Sequence, residues 1–173
     1  MRRIACSRNV IVLLLLGACL TMISCSRGNA NQGVDDYLGD YSYDSPIIAM
    51  VYEDLDGEGM GILYRSVTDF DKFINNTDKP ILLYMYTSMH ADDAGTTASV
   101  EQIAEDYHKE VVVISIDLFR ASEVANRYEV VAVPEFIIIH SGEEVGRFDS
   151  ADKQTWYPEE VSDWMISVIN TIE

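Results

Sequence analysis

The sequence predicts a three-layer α/β sandwich in which one mixed sheet carries helices on both faces. Three observations point there. After residue 62, strand-like and helix-like runs follow one another in the order β-α-β-α-β-α-β-β-α, and strand–helix–strand alternation implies parallel strands. Val111, Val112, Val113, Ile114 and Ile116 form a dense β-branched run, as in a central strand covered on both faces. Residues 136–148 fold back on themselves around Ser141-Gly142, which adds an antiparallel edge.

Each element has a local cause. Residues 47–52 are apolar and extended, residues 54–59 (Asp-Leu-Asp-Gly-Glu-Gly) make a turn, and residues 60–64 form a second strand, so a hairpin is expected. The acidic turn lacks the remaining ligand positions and the distal Glu of an EF-hand, which leaves it a turn. Thr68 is placed to cap a short helix, with Asp71 at the third position and Phe70, Phe73 and Ile74 facing inward. Asn75-Asn76-Thr77-Asp78 stops that helix, and Lys79-Pro80 leads into a strand over residues 81–86. Val100, Ile103, Ala104 and Tyr107 recur at helical spacing. A short helix is expected around residues 124–128, then the late hairpin. Pro158 starts a last helix striped by Val161, Trp164, Met165, Val168, Ile169 and Ile172.

The first 24 residues read as an export signal. Arg2, Arg3 and Arg8 precede an apolar run from Val10 to Leu16 that continues, less purely, to Ile23. The purest part is too short to span a bilayer, and Ser26-Arg27-Gly28-Asn29 follows it. All three cysteines of the 173-residue chain, Cys6, Cys19 and Cys25, fall within its first 25 residues. The contexts of Cys25 and, alternatively, Cys19 resemble the bacterial lipobox, where the thiol takes a diacylglycerol and becomes the new N-terminus. Cys25 is followed by small polar residues and is favoured; incidental cysteines in an ordinary leader or anchor are the bland alternative. Residues 25–46, rich in Gly, Asn, Asp, Ser and Tyr, are expected to be a flexible tether, unless Tyr37, Tyr41 and Tyr43 pack on the domain, and residues 47–173 form that domain. The expected location is the bacterial cell envelope, lipid-anchored and facing outside the cytoplasm. The leader holds 3 of the 12 Lys+Arg and none of the 29 Asp+Glu, so the exported part is strongly acidic. Such a surface repels nucleic acid, and a nucleic-acid partner is not expected.

Several segments together resemble the thioredoxin superfamily. Lys79-Pro80-Ile81-Leu82-Leu83 is similar to the start of the strand before that family's active site, and Ile103-Ala104-Glu105-Asp106-Tyr107 to the end of the helix after it. Ile116-Asp117 closes the next strand; Arg127-Tyr128-Glu129-Val130 resembles the Lys-Tyr-Gly-Val segment, Val131-Ala132-Val133-Pro134 the cis-proline approach, and residues 141–146 the terminal hairpin. The resemblance covers about residues 62–172 and implies a thioredoxin-like fold with a cis bond at Pro134.

Counted without gaps, the family's Cys-x-x-Cys falls on His90-Ala91-Asp92-Asp93, its buried acid on Tyr84 and its tryptophan on Met89. Thiol–disulfide exchange needs a thiolate and a resolving thiol, and no cysteine follows Cys25. The expectation is therefore a redox-inactive, non-enzymatic module without a cofactor. It would hold an extracytoplasmic protein or peptide in a groove by Met89, Val133 and Pro134, and meet the membrane only through its lipid. The alternatives are a non-redox, metal-dependent enzyme centred on His90, Asp92 and Asp93, or a thiol–disulfide oxidoreductase relative with residual function. Imidazole and carboxylates can bind Zn²⁺, but Asp92 and Asp93 serve more simply as helix N-terminal caps. His108 and His140 do not obviously join His90, and no Ser-His-Asp spacing is recognisable around Thr87, Ser88, Thr96 or Thr97.

Overall fold

Three near-continuous apolar strands lie at the centre of the molecule: β4 (Ile81–Tyr86), β5 (Val112–Asp117) and β6 (Glu135–His140). A computed structural model describes residues 35–55, 57–89, 93–148 and 156–172. The expected leader over 1–24, both candidate lipidation cysteines and the first part of the expected tether lie outside the described residues. β4 runs parallel to β5 and antiparallel to β6. Around them β1 (Leu38–Gly39), β2 (Ile47–Asp54), β3 (Met60–Val67) and β7 (Glu143–Arg147) complete a seven-stranded sheet in the order β1-β3-β2-β5-β4-β6-β7.

Because side chains alternate along a strand, the sheet divides its apolar residues between two layers. Ile81, Leu83, Met85, Ile114, Ile116, Ile137 and Ile139 pack with Phe73 and Ile74 of α1 (Phe70–Asn76) and Val124 of α3 (Ser122–Arg127). Leu82, Tyr84, Val113, Phe136 and Ile138 pack on the other face with Val100, Ile103 and Ala104 of α2 (Asp93–Asp106) and Val161, Met165 and Ile169 of α4 (Pro158–Ile172). The three-layer sandwich is thus as the alternation implies. Among the described residues no helix is long and apolar enough to cross a membrane.

Two expectations are corrected. The tether does not extend through residue 46. A 3-10 turn (Asp35–Tyr37) and β1 dock onto the domain, with Leu38 buried and Tyr37 O accepting both Thr68 N and Thr68 Oγ1. Thr68 is consequently not the cap of α1. That role falls to Asp69, whose Oδ1 accepts Lys72 N at 3.1 Å. The expected hairpin forms, but its first member, β2, is the strand that bonds antiparallel to β5, and so separates β3 from the parallel core.

Candidate functional site

The register brings three loops to one end of the sheet. Tyr86 lies opposite Asp117, and Met85 opposite Glu135, so β4 and β5 end where β6 begins. Residues 87–89, residues 118–120 and the Val133-Pro134 loop all leave from that end, outside the carboxyl ends of the parallel pair, where ligand sites of open α/β sheets commonly lie. The Val133–Pro134 peptide bond is cis.

Asp117 organises this end. The residue is 4% exposed, and its Oδ1 accepts Ser88 N and Phe119 N, each at 3.1 Å. Its Oδ2 lies 3.6 Å from Arg120 Nε. One carboxylate thus holds the loop after β4 to the loop after β5. Backbone bonds reinforce the arrangement, from Leu118 N to Tyr86 O at 2.8 Å and from Asp117 N to Pro46 O at 2.9 Å. Arg120 reaches back to Tyr43 O at 2.8 Å and stacks over the Tyr43 ring. Glu135, directly after the cis bond, is also buried.

Large apolar side chains stand out from these loops. Met89 is 70% exposed, Phe119 62% and Val131 93%. Val133 and Pro134 are half-buried behind Val131. Tyr84 and Phe136 are core, Tyr86 is half-buried, and Met89 is on the rim. Phe119, Val131 and Asp117 were not singled out by sequence reasoning as site residues. Their signals were a lone aromatic inside a turn, an apolar pair before a proline, and an acid ending an apolar strand.

His90, Ala91 and Asp92 lie outside the described residues, and of Asp93 only the backbone, opening α2, is described. The other two histidines lie away from the loops at this end of the sheet. His140 ends β6, five residues or about 17 Å along the strand from Glu135. His108 follows the far end of the 14-residue α2, about 20 Å from its start. Among the described residues no group of three or more His, Cys, Asp and Glu side chains gathers as a metal site. What this end offers is an apolar rim above a hydrogen-bonded base.

Residues 61–162 match the family model described as Thioredoxin. Thioredoxin Y, chloroplastic, of Oryza sativa subsp. japonica is 26% identical over 87 residues, covering 50% of this chain and 52% of that protein. Thioredoxin-1 of Drosophila yakuba is 30% identical over 90 residues, covering 51% of this chain and 84% of that protein. The chain spans about half the length of the rice relative it matches. Among solved structures, mitochondrial thioredoxin 3 of Saccharomyces cerevisiae is 18% identical, covers 58% of this chain and 88% of its own, and has a TM-score of 0.49. The family match runs from β3 into α4, through the central strands, the loops they bring together and the helices on both faces, and over that length there is no cysteine. The chain therefore belongs to the thioredoxin family.

Proposed function

We propose that this protein is a redox-inactive member of its family, lipid-anchored outside the cytoplasm, that binds a protein or peptide at the apolar rim beside the cis-proline loop. The observation that carries this reading is the loss of sulfur from a retained scaffold. Disulfide exchange transfers electrons through a thiolate and a second thiol, and no cysteine follows Cys25. The relatives are named thioredoxins, but the gap-free placement of their paired cysteines on His90 and Asp93 gives this chain no nucleophile. The rim supports the binding half of the reading, because Met89 and Phe119 expose apolar surface on loops that Asp117 holds in place, and Val131 exposes more on the cis-proline loop. The leader pattern and the residues after Cys25 support the anchor.

Three measurements test the parts separately. The full-length chain should not accelerate insulin precipitation by dithiothreitol; robust turnover would end the redox-inactive reading. Incorporation of labelled palmitate in cells should be lost in Cys25→Ala and kept in Cys19→Ala. Crosslinked partners should be lost in Met89→Asp and Val131→Asp and kept in Met60→Asp, an exposed site at the opposite end of the sheet. If all three variants keep every partner, the rim is not the binding surface.

A further inference from the structure

We propose that the cavity between β2, the turn after α2 and the start of β5 binds a carboxylate on a short apolar stem. It lies at the end of the sheet away from the cis-proline loop and is independent of the reading above. The cavity measures about 120 Å³ and has Asp35, Tyr52, Lys79, His108, Lys109 and Val111 in its lining.

The charges are unusual for this chain, in which acids outnumber bases 29 to 12. Lys72, Arg120, Arg127 and Arg147 are each ion-paired with a carboxylate, and Arg65 donates to the Leu38 and Gly39 carbonyls. Lys79 and Lys109 have no carboxylate partner among the described residues, and both line this cavity as well as a second pocket with Asp78 and Glu110. Lys79 Nζ donates one of its three N–H bonds to His108 O at 3.0 Å, which fixes the ammonium in place and leaves two donors unused. The His108 Nδ1 contacts Glu105 O at 2.7 Å; a carbonyl only accepts, so Nδ1 carries the proton in that bond. The imidazole also stacks on Tyr52, with ring centroids 4.3 Å apart. Lys79 and the His108 ring are therefore held by the fold before any ligand arrives, and the exposed Lys109 adds a second ammonium at the cavity.

The same features select the ligand. Two ammonium groups against the single carboxylate of Asp35 favour a monoanion. A phosphate dianion or polyanion would meet stronger repulsion from the acidic surface. Leu38, Met50 and Val51 give the cavity an apolar side. Its volume is below the ~150 Å³ of an engineered cavity that holds benzene, which restricts the stem to a few carbons. A free short-chain acid and the C-terminal carboxylate of a peptide share this chemistry.

The test is an amide-shift titration of the full-length ¹⁵N-labelled chain at constant ionic strength. Butyrate and N-acetyl-glycyl-leucine are the two carboxylate probes, and butyramide is the neutral control. At least one carboxylate should produce saturable shifts at Tyr52, Val111 and Val112, and butyramide none. Saturation by butyrate identifies a free acid as sufficient; saturation by the dipeptide alone identifies a peptide terminus. Lys79→Gln combined with Lys109→Gln should weaken binding about tenfold or more. Lys109→Gln alone, on an exposed side chain, should weaken it measurably with the fold kept. Linear shifts with both carboxylates, equal shifts with butyramide, or unchanged affinity in Lys109→Gln would each overturn the proposal.

Discussion

Asp117 shows how one side chain can shape a whole loop cluster. A buried carboxylate accepting two backbone N–H groups makes charge-assisted bonds, the stronger class. Asp117→Ala removes both acceptors and should cost about 1–3 kcal/mol, read as a lower urea midpoint. Hydrogen exchange at the Ser88 and Phe119 amides should rise together in that variant, whereas Asp117→Asn, which keeps an acceptor oxygen, should fall between it and the parent. Asp69 makes a different residue-scale prediction. Its carboxyl sits below the ordinary value of 3.8, chiefly through its side-chain bond to Lys72 and then through the Lys72 backbone N–H. A depressed folded-state pKa means stabilisation that is present above 3.8 and is lost as pH falls through the lower folded value. The difference in melting temperature between the parent and Asp69→Ala should thus be largest near neutrality and close in acid. Because the pair is exposed, part of that difference should also vanish in high salt.

At the scale of elements, the packing of α4 on β7 is set by a glycine. A Cβ placed on Gly146 would lie 2.9 and 3.0 Å from the two methyls of Val168 and 3.5 Å from Trp164 Cζ2. Gly146→Ala must displace the helix or the strand, and should cost about 1–3 kcal/mol in a thermal or urea denaturation measurement. An unchanged midpoint would show that α4 rides more loosely on β7 than its contacts imply. Elements with this much local cause were legible in the sequence: the apolar runs of β4, β5 and β6 and the stripe of α4 each bury what their periodicity exposes. The position of β2 was not legible. Both hairpin members, 47–54 and 60–67, are extended and mostly apolar, and nothing local says which one meets β5. The helix cap shows the same limit. Thr68 and Asp69 are both capping residues, and the choice is made by Tyr37, 31 residues before Thr68, whose carbonyl accepts the threonine hydroxyl. At the site, the loop positions followed from family resemblance, but the exposure of Phe119 and Val131 depends on where three loops emerge together.

For the molecule as a whole, the question is where the domain begins. Composition alone assigns residues 25–46 to a tether, because polar and small residues dominate there. The folded chain shows how a polar segment can still belong to a core: it contributes one buried leucine and a series of hydrogen bonds. Leu38 is buried against the α1/α3 face, Arg65 donates to Leu38 O and Gly39 O, Ser42 N donates to Ser66 Oγ, and Arg120 donates to Tyr43 O. A fully buried leucine is worth about 1.5–3 kcal/mol and each such hydrogen bond about 1 kcal/mol net, offset in part by the entropy of ordering the segment. A fragment starting at residue 47 should therefore be less stable than one starting at residue 35, because it loses the burial of Leu38 and the hydrogen bonds of the segment. Urea denaturation of the two fragments measures the difference directly. The loss should reach the site end too, because Arg120 is held both by Tyr43 and by Asp117, and exchange at Phe119 should quicken in the shorter fragment. Equal midpoints would return residues 35–46 to the tether and leave the loops around the cis-proline supported by the sheet alone.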